Sequence, residues 1–479
     1  MPQKMAILWT FALLCALLEA TLVPATLSPP AELVLGPEVI KEKLTQELED
    51  HGATTILQQL PLLSAVRNKP ARGFPLLGGL VNSFLNYVIW LKVTSANILQ
   101  LQLQPLTDDQ GLLIKIPLDM VAGFNTPLVK TIMEFHMETE VQALVLVETS
   151  LNGSNNLILS SCASSRGSLH ISLLNKVSFL ANSLADKVTN LLVPALPQMV
   201  KKKLCPVIEE AFKDMYADFL KMAKAPISLS PGLLNFDLLS STITGSSIQM
   251  DLQATLLDSQ AKVTKWFNDS VVAPALPTLN STLFSLAIRQ DVVSAVVAAI
   301  LPPEELLVLL DFVLPDLAHE LKSRIKVINK TASDKLGPTQ IVKIVTRKLP
   351  QLSLSQDDAK LAQRILLEVF ATNKDVRPFF TLGIEANLAA QFYAEGDWLV
   401  LNFNDISFDR IRLMISDIGL FNPEVLTSIL TKILYSSLLP NENGKLRPGI
   451  PISISKNLGY KTALWSVTQG ALVLTPASA

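Results

Sequence analysis

The residue with the clearest chemical potential is Cys205, in the stretch VKKKLCPVIEEAF that runs from Val200 to Phe212. It follows the three lysines Lys201, Lys202 and Lys203 and stands at the start of a segment with helical character. Nearby positive charge and a helix N-terminus both lower the pKa of a thiol, so this setting would suit a nucleophile. The alternative is a structural disulfide. The cellular compartment decides between the two.

The N-terminal residues predict a secreted protein. Met5 to Leu18 is almost wholly apolar, and Val23 and Ala25 have the small-residue spacing of a signal-peptidase site. This pattern predicts a signal peptide over 1–25, with cleavage after Ala20 as the second choice. No later apolar run reaches the length of a membrane-spanning helix. We therefore expect a mature chain that is secreted and spans no membrane.

Secretion favours the disulfide over the reactive thiol. Cys15 leaves with the signal peptide, so Cys162 and Cys205 remain as an even pair in an oxidising compartment. The lysines before Cys205 are then either a solvated charge run or a weak anion-binding patch. Secretion also gives meaning to the N-x-S/T sequons, each of which predicts a glycosylated surface loop. The sequon asparagines are Asn152, Asn268, Asn280 and Asn329.

Composition limits the class of protein. The chain of 479 residues is too long for one ordinary core, so we expect a signal peptide, a first domain over 26–245 and a second over 246–479. Hydrophobic residues make up 49% and charged residues only 17%, which suits large cores or an apolar cavity. The net charge of −2 supplies no basic field for nucleic acid.

The periodicity of the first half alternates between helix and strand. Gly36-Pro37-Glu38 predicts a helix start, followed by an apolar stripe of Ile40, Leu44 and Leu48 and a bend at Gly52. Leu99, Leu101 and Leu103 alternate with glutamines, which predicts one strand with the three leucines on one face. Residues 176–223 return to a helical period that includes Leu180 and Leu184. We expect Pro194 and Pro197 to interrupt that helix.

The second half repeats this order of elements. Ile248 to Leu256 alternates as a strand, and further strands are predicted over 380–388, 398–403, 411–415 and 470–474. Asn422-Pro423-Glu424 predicts the start of a helix. Each half thus interleaves long helices with antiparallel strands. This order predicts an α+β fold of two related halves.

The sequence contains no catalytic or metal-binding motif that we can identify. G-x-S-x-G, H-E-x-x-H, C-x-x-C and phosphate-binding glycine loops are absent, and the four histidines are scattered. We therefore expect no catalytic residues, no metal and no cofactor. Two weak basic clusters, which are solvated loops or glancing contacts for a lipid phosphate, comprise Arg67, Lys69 and Arg72 and the lysines 201–203.

Several longer stretches together resemble one known family. They are LGPEVIKEKLTQEL (35–48), ILQQLPLLSA (56–65), KIPLDMVAGFNTPLVKTI (115–132), NLLVPALPQMVKKKLCPVIE (190–209), LLDSQAKVTKWFN (256–268) and LLPNENGKLRPGIPISI (438–454). Over nearly the whole mature chain the sequence resembles the BPI-fold-containing family, of the lipopolysaccharide-binding and bactericidal/permeability-increasing type. The resemblance implies a boomerang of two barrel-like domains joined by a central sheet. It also implies one disulfide, which Cys162 and Cys205 match.

The same resemblance implies a function. It points to a secreted protein of airway and mouth fluid that acts in innate immunity and binds lipopolysaccharide and phospholipid acyl chains in apolar pockets. Strongly antibacterial members have a cationic first domain, whereas this first half is near neutral, so we expect hydrophobic lipid binding and peripheral contact with bacterial or membrane surfaces. Core packing is the alternative role for each candidate pocket residue: Ile40, Leu44, Leu48, Leu99, Leu101, Leu103, Leu180 and Leu184. The alternative function is a surface-active or protein-interaction component of mucus with filled pockets.

Overall fold

Antiparallel strands and long helices alternate along the chain. The computed structural model describes residues 28–67, 88–107, 111–126, 129–150, 155–164, 169–174, 179–267, 276–277, 279, 283–336, 340–371, 377–396, 398–451, 454–460 and 462–477. The predicted signal peptide over 1–25 lies outside these residues.

The strands and helices are numbered in chain order. The strands are β1 (Ala31–Leu35), β2 (Trp90–Ile98), β3 (Gln102–Pro105), β4 (Gly111–Thr126), β5 (Val129–Thr149), β6 (Asn155–Ser164), β7 (His170–Leu173), β8 (Ile227–Leu229), β9 (Gly232–Thr244), β10 (Ser247–Asp258), β11 (Val263–Phe267), β12 (Phe284–Arg289), β13 (Glu305–Leu309), β14 (Ile341–Thr346), β15 (Gln351–Ser355), β16 (Asp358–Phe370), β17 (Phe380–Glu395), β18 (Trp398–Ser416), β19 (Ile450–Pro451), β20 (Ala463–Thr468) and β21 (Ala471–Pro476). The helices are α1 (Pro37–Asp50), α2 (Ala53–Gln58), α3 (Leu62–Arg67), α4 (Phe179–Ala223), α5 (Gln290–Ile300), α6 (Leu310–Val313), α7 (Pro315–Ile328), α8 (Lys330–Lys335), α9 (Thr427–Leu446) and α10 (Ile454–Asn457), with a 3₁₀ turn at Pro423–Leu426.

Three antiparallel sheets form from these strands. The first sheet has the order β2-β4-β5-β6, with β3 on β4 and β7 on β5. A central sheet has the order β20-β21-β12-β1-β10-β9-β8, with β11 on β10. The third sheet has the order β13-β14-β16-β17-β18-β19, with β15 on β16. The central sheet therefore combines strands from both halves of the chain, and the predicted α+β class is confirmed.

Strong alternation in the sequence produces the buried faces of these sheets. In β10, the five residues Ile248, Met250, Leu252, Ala254 and Leu256 are all buried, as their period of two predicts. They belong to one continuous apolar core that extends through both halves. Register shifts in the β17–β18 ladder, after Thr381, Glu385 and Ala389, increase the local twist and curl the third sheet.

Helix starts are the best-predicted local features. Pro37 occupies the first turn of α1, and Gly52 adopts a left-handed φ of 66° between α1 and α2, which produces the predicted bend. Asn422 accepts a hydrogen bond from the backbone N–H of Glu424 at 3.1 Å and caps the 3₁₀ turn that leads into α9.

The expectation that prolines interrupt the long helix was wrong. Helix α4 runs unbroken through Pro194, Pro197 and Pro206. A residue every fourth position faces the core, and all of these residues are buried: Val188, Leu192, Leu196, Val200, Leu204 and Ile208. Burial of this stripe outweighs the hydrogen bonds that the prolines remove. Pro194 and Pro206 are exposed, on the outer side of the helix.

Two strand predictions also need correction. The leucine-rich segment is not one strand, because β2 ends at Ile98 and β3 begins at Gln102. The break lies opposite Pro117 of β4, whose oxygen accepts from the Leu99 N–H at 2.9 Å but which has no N–H to return. Leu99 is exposed as a result, while Leu101 is buried.

The second correction concerns the strands predicted over 398–403 and 411–415, which are one strand, β18. The polar residues between them, from Asn404 to Arg410, pair along β17 with their polar side chains mostly exposed. Pairing with a long partner strand therefore overrides the weak strand preference of this polar segment.

A buried acid–amide pair joins α9 to the third sheet. Glu442 is 1% exposed and accepts a hydrogen bond from Gln363 Nε2 at 2.8 Å. Burial raises the pKa of Glu442 to about 7, and Glu304 adds to the shift. Among the described residues, neither Glu442 Oε2 nor Gln363 Oε1 has a hydrogen-bond partner, so a proton on the carboxyl supplies a missing donor.

We expect Glu442→Gln to remove a pH-dependent loss of stability. Because the pKa is raised in the folded protein, the neutral carboxyl stabilises below about pH 4.5, and that contribution is lost as the pH rises through 7. Relative to wild type, the free energy of unfolding of the variant should therefore rise between pH 5 and pH 8, by up to about 3 kcal/mol. Urea unfolding at a series of pH values measures this difference. Parallel pH profiles of the two proteins would contradict this assignment.

Candidate functional site

An apolar groove opens between helix α5 and the strands β10 and β11. Its volume is about 580 Å³, within the range of small-molecule sites. The lining residues are Pro231, Gly232, Leu256, Leu257, Asp258, Thr264, Lys265, Ser294, Ala295, Ala298, Ala299, Pro302, Leu349, Pro350 and Gln351. Most of these side chains are apolar, and many are small.

The helix wall of the groove follows from the sequence QDVVSAVVAAI of α5. Its valines, among them Val292 and Val296, are buried in the core, whereas Ala295 and Ala299 face the groove. Alanine at these positions leaves open space that a larger side chain would occupy. The helix is fixed by two hydrogen bonds: Leu352 N–H donates to Ser294 Oγ at 3.1 Å, and Leu354 N–H donates to Gln290 Oε1 at 2.8 Å.

A glycine in β9 and a register shift between β10 and β11 shape the strand wall of the groove. A Cβ on Gly232 would lie 2.2 Å from the backbone oxygen of Leu257, so only glycine permits this approach of β9 to β10. The β10–β11 ladder shifts register between Leu256 and Leu257. Thr264 Oγ1 donates to the carbonyl oxygen of Leu256 at 2.9 Å, which satisfies the polar group beside the shift.

One cation lies at the groove's β11 side. Lys265 lines the groove, and its Nζ lies 4.8 Å from the centre of the Phe267 ring. Asp258 also lines the groove, but its Oδ1 accepts from the N–H groups of Gln260 and Lys262 and so stabilises a turn. Trp266, next to Lys265 in the strand, is exposed but is not among the lining residues. The groove therefore combines an apolar interior with a cationic edge.

A second, more polar groove of about 530 Å³ lies beside the disulfide. Cys162 of β6 and Cys205 of α4 are joined, with their Cα atoms 5.8 Å apart. The groove lining includes Lys201 and Lys202, both exposed, together with Ser160 and Ser161. This arrangement can offer charge and hydroxyl groups to an anion. Because Cys205 is in the disulfide, the thiol-nucleophile alternative is wrong.

None of the sequence-predicted pocket residues whose side chains the structure describes lines the apolar groove. Ile40, Leu44 and Leu48 of α1 are fully buried in the continuous core. Leu101 is buried, Leu103 is half-buried against the core, and Leu99 is exposed. For Leu180 and Leu184 the structure describes the helix but not the side chains.

The remaining candidates are the predicted basic residues and the sequon asparagines, and the structure describes only some of them. Lys203 is exposed on α4 next to the disulfide groove. Arg67 is the last residue of α3, but its side chain is not described. The other two residues of that basic cluster, Lys69 and Arg72, lie outside the described residues. The sequon asparagines Asn152, Asn268 and Asn280 lie outside them as well. Asn329 is described: it caps α8, accepting from Thr331 N–H and Ala332 N–H at 3.1 Å, and its Nδ2 donates to the carbonyl oxygen of Ile418.

Sequence reasoning missed the groove because its signal is spread over five segments of the chain. The alanines of α5 look like ordinary helix formers, and Gly232 looks like a turn residue. The one available signal was the alanine pair at i and i+4, Ala295 and Ala299, on a helix whose other face is valine-rich. Only the fold shows that this face meets β10 and β11 instead of another helix.

The fold has curled antiparallel sheets in both halves, a central sheet that both halves share and an apolar groove beside that sheet. These features define a two-domain class of protein with a groove that suits apolar ligands. The family comparison agrees. The first-domain model described as "LBP / BPI / CETP family, N-terminal domain" matches residues 47–215, and the C-terminal domain model matches 338–475. The chain belongs to the LBP/BPI/CETP family.

Individual relatives support the same conclusion. The chain is 62% identical to human BPI fold-containing family B member 1 over 98% of this chain and 97% of the relative. It is 59% identical to the mouse protein of the same name over 98% of this chain and 99% of the relative. The crystal structure of lipopolysaccharide binding protein matches the fold with a TM-score of 0.50 over 94% of this chain and 98% of that chain, at 13% identity. None of the described helices has the length and apolarity to cross a bilayer.

Proposed function

We propose that this chain is a secreted lipid-binding protein of mucosal fluid that takes an acyl chain of a phospholipid or a lipopolysaccharide into the α5–β10–β11 groove. The observation that carries the proposal is the apolar lining of that groove, built from leucines, prolines and alanines. Each buried methylene contributes about 0.8 kcal/mol, so an acyl chain can bind there without a strong charge at its headgroup. The role is binding and not catalysis.

The edge of the groove suggests how a lipid would be oriented. The cation of Lys265 lies on the β11 side and suits a headgroup phosphate. The relative named for lipopolysaccharide binding shares the fold and supports lipopolysaccharide as one ligand class. An innate-immune role in airway and mouth follows as part of the proposal, with modulation of responses to bacterial lipid as its form.

The predicted modifications and boundaries belong to this proposal as well. We propose a signal peptide over 1–25, glycans at the four sequons and domains over 26–245 and 246–479. Residues 245–246 form the turn between β9 and β10 of the central sheet, with Gly245 at a φ of 58°. The proposed boundary thus divides the sheet to which both halves contribute.

A fluorescent acyl-chain displacement assay tests the proposal. The secreted protein, stripped of lipid, should bind an acyl probe in a saturable way, and phosphatidylcholine and lipid A should both displace the probe. Because the groove is apolar, the affinity for the acyl probe should change little with salt. A protein that binds none of these probes would contradict the proposal.

We expect replacement of the three lysines 201–203 by glutamine to separate charge from acyl binding. The exposed lysines add a salt-sensitive attraction to anionic vesicles but do not line the apolar groove, so acyl binding should remain and only the salt-sensitive part should weaken. The matched control replaces Lys326, Lys330 and Lys335, three exposed lysines of the other half. Loss of acyl binding in the first variant would place the lysines in the site.

One observation favours the alternative of a surface-active protein. Leu420 is 99% exposed, Phe312 is 88% exposed and Val327 is 85% exposed, all in the second half. The Asn329 Nδ2 to Ile418 oxygen contact of 3.1 Å brings the end of α7 beside the segment that carries Leu420. Surface tension of the lipid-free protein tests this alternative, since adsorption that lipid does not change would favour it over a lipid-carrying role.

A further inference from the structure

We propose that Glu47, His51 and Asp214 form a Zn²⁺ site that links α1 to α4. Glu47 lies in the last turn of α1 and His51 directly follows that helix, whereas Asp214 belongs to α4, 163 residues further along the chain from His51. One ligand atom from each of the three lies within 4.8 Å of the others. In the part of the chain that the structure describes, this is the one group of three such side chains that converges in this way.

The donor set and the spacing both suit zinc. Zinc binds imidazole nitrogen and carboxylate oxygen at about 2.0–2.2 Å, and catalytic sites commonly use three protein ligands with water as the fourth. Tetrahedral coordination at these bond lengths separates neighbouring ligand atoms by about 3.4 Å. His51 Nε2 and Asp214 Oδ2 are 2.9 Å apart, and the other separations are at most 4.8 Å, so side-chain rotation alone reaches that geometry.

The backbone positions of the ligands are fixed by the core. Leu44 and Leu48 of α1 and Ala211 and Met215 of α4 are buried on the inner faces of the two helices. His51 directly follows α1, and its backbone N–H donates to the carbonyl oxygen of Glu47 at 2.9 Å, so the two residues are held one helical turn apart. Two of the ligands therefore lie within packed helices and the third is fixed to the end of one, which limits the reorganisation that metal binding requires.

The neighbouring charges also favour a cation. Lys43 Nζ lies 3.1 Å from Asp218 and 3.5 Å from Glu47, so it keeps a partner when Glu47 turns towards a metal. Two carboxylates, those of Glu47 and Asp214, converge with His51, whereas Lys43, Lys221 and Lys224 line a groove together with Asp218. A divalent cation between His51, Glu47 and Asp214 offsets the charge of the two converging carboxylates.

The sequence alone does not reveal this site. Glu47 and His51 have the i, i+4 spacing that places two ligands on one helix face, but two residues do not make a zinc site. The third ligand becomes visible only when α1 packs on α4. The bound ion would join the first of the described helices to the longest of them.

Zinc titration of the full secreted protein, stripped with a chelator and followed by calorimetry, tests the proposal. We expect one Zn²⁺ per chain for wild type, and affinity weakened about tenfold or more in His51→Gln and in Asp214→Asn. The matched control is His136→Gln, which removes another histidine–carboxylate contact, 2.6 Å from His136 Nε2 to Asp119 Oδ1, and should retain wild-type zinc binding.

Thermal unfolding supplies a second measurement. Zinc should raise the unfolding midpoint of wild type and of His136→Gln but not that of His51→Gln, since only a ligand of the folded state stabilises it. Wild type that binds no zinc, or binding that is the same in His51→Gln, would overturn the proposal. Acyl binding to the α5–β10–β11 groove, which shares no lining residue with the metal cluster, is measured in parallel and should be unchanged in all the variants.

Discussion

Replacing Cys162 and Cys205 together by serine is expected to lower the free energy of unfolding by about 4 kcal/mol. The disulfide closes a loop with a sequence separation of 43 residues, and loss of that constraint enlarges the conformational entropy of the unfolded chain. It also frees β6 from α4, the long helix whose stripe of buried residues packs on the core of the first half.

Urea unfolding of the double variant measures this loss, and reduction of wild-type protein should reproduce it. Thiol titration of the unfolded, unreduced wild-type protein serves as the control and should find no free thiol in the secreted chain. An unchanged urea midpoint in the double variant would show that the bond contributes little to stability. One or two reactive thiols in the wild type would contradict the disulfide itself.

Filling the groove is expected to have the largest effect on ligand binding. Ala295 lies on the groove face of α5 and is only half-buried, so Ala295→Phe extends a ring into the space that an acyl chain would occupy. We expect affinity for an acyl probe to fall by at least about tenfold, which corresponds to about 1.4 kcal/mol. The unfolding midpoint should change little, since the added ring enters an open groove and not the packed core.

The matched control for this variant is Ala217→Phe, at an exposed position of α4. It adds the same ring to a helix surface far from the groove in sequence and should leave acyl binding at the wild-type level. Equal binding by Ala295→Phe and wild type would move the ligand site away from α5. Equal loss in both variants would point to a general effect of added apolar surface.

Local signals in the sequence predict the elements well where the residue types dictate the backbone. Pro37 in a first helical turn, Gly52 at a bend and Asn422 at a cap each act within a few residues, and each is found as expected. The alternation in β10 is equally direct, since one face of the strand is buried. These features depend on short-range geometry, so no knowledge of the partner segments is needed.

Predictions fail where a distant partner decides the outcome. Helix α4 tolerates Pro194 and Pro197 because its inner stripe is buried by other segments, and the leucine-rich segment breaks because Pro117 of the neighbouring strand lacks an N–H. The candidate site shows the same limit. Ile40, Leu44 and Leu48 have the periodicity of either a core or a pocket, and their complete burial in the core becomes apparent only in the folded chain.

The groove and the metal cluster are both products of long-range packing. Ala295 and Ala299 acquire a role only because α5 faces β10 and β11, and Asp214 meets His51 only because α4 returns to α1. Family membership supports the overall lipid-binding interpretation, but it does not select which side chains of this chain contact a ligand. That selection comes from the geometry.

Native mass spectrometry of the purified mature protein, followed by lipid extraction, tests whether the groove carries an acyl chain. We expect an acyl lipid that co-purifies at near-stoichiometric amounts, or that binds when stripped protein is incubated with phospholipid or lipid A, and that is lost in Ala295→Phe. A lipid-free mass that stays unchanged after these incubations would rule out lipid carriage in the groove and favour the surface-active alternative.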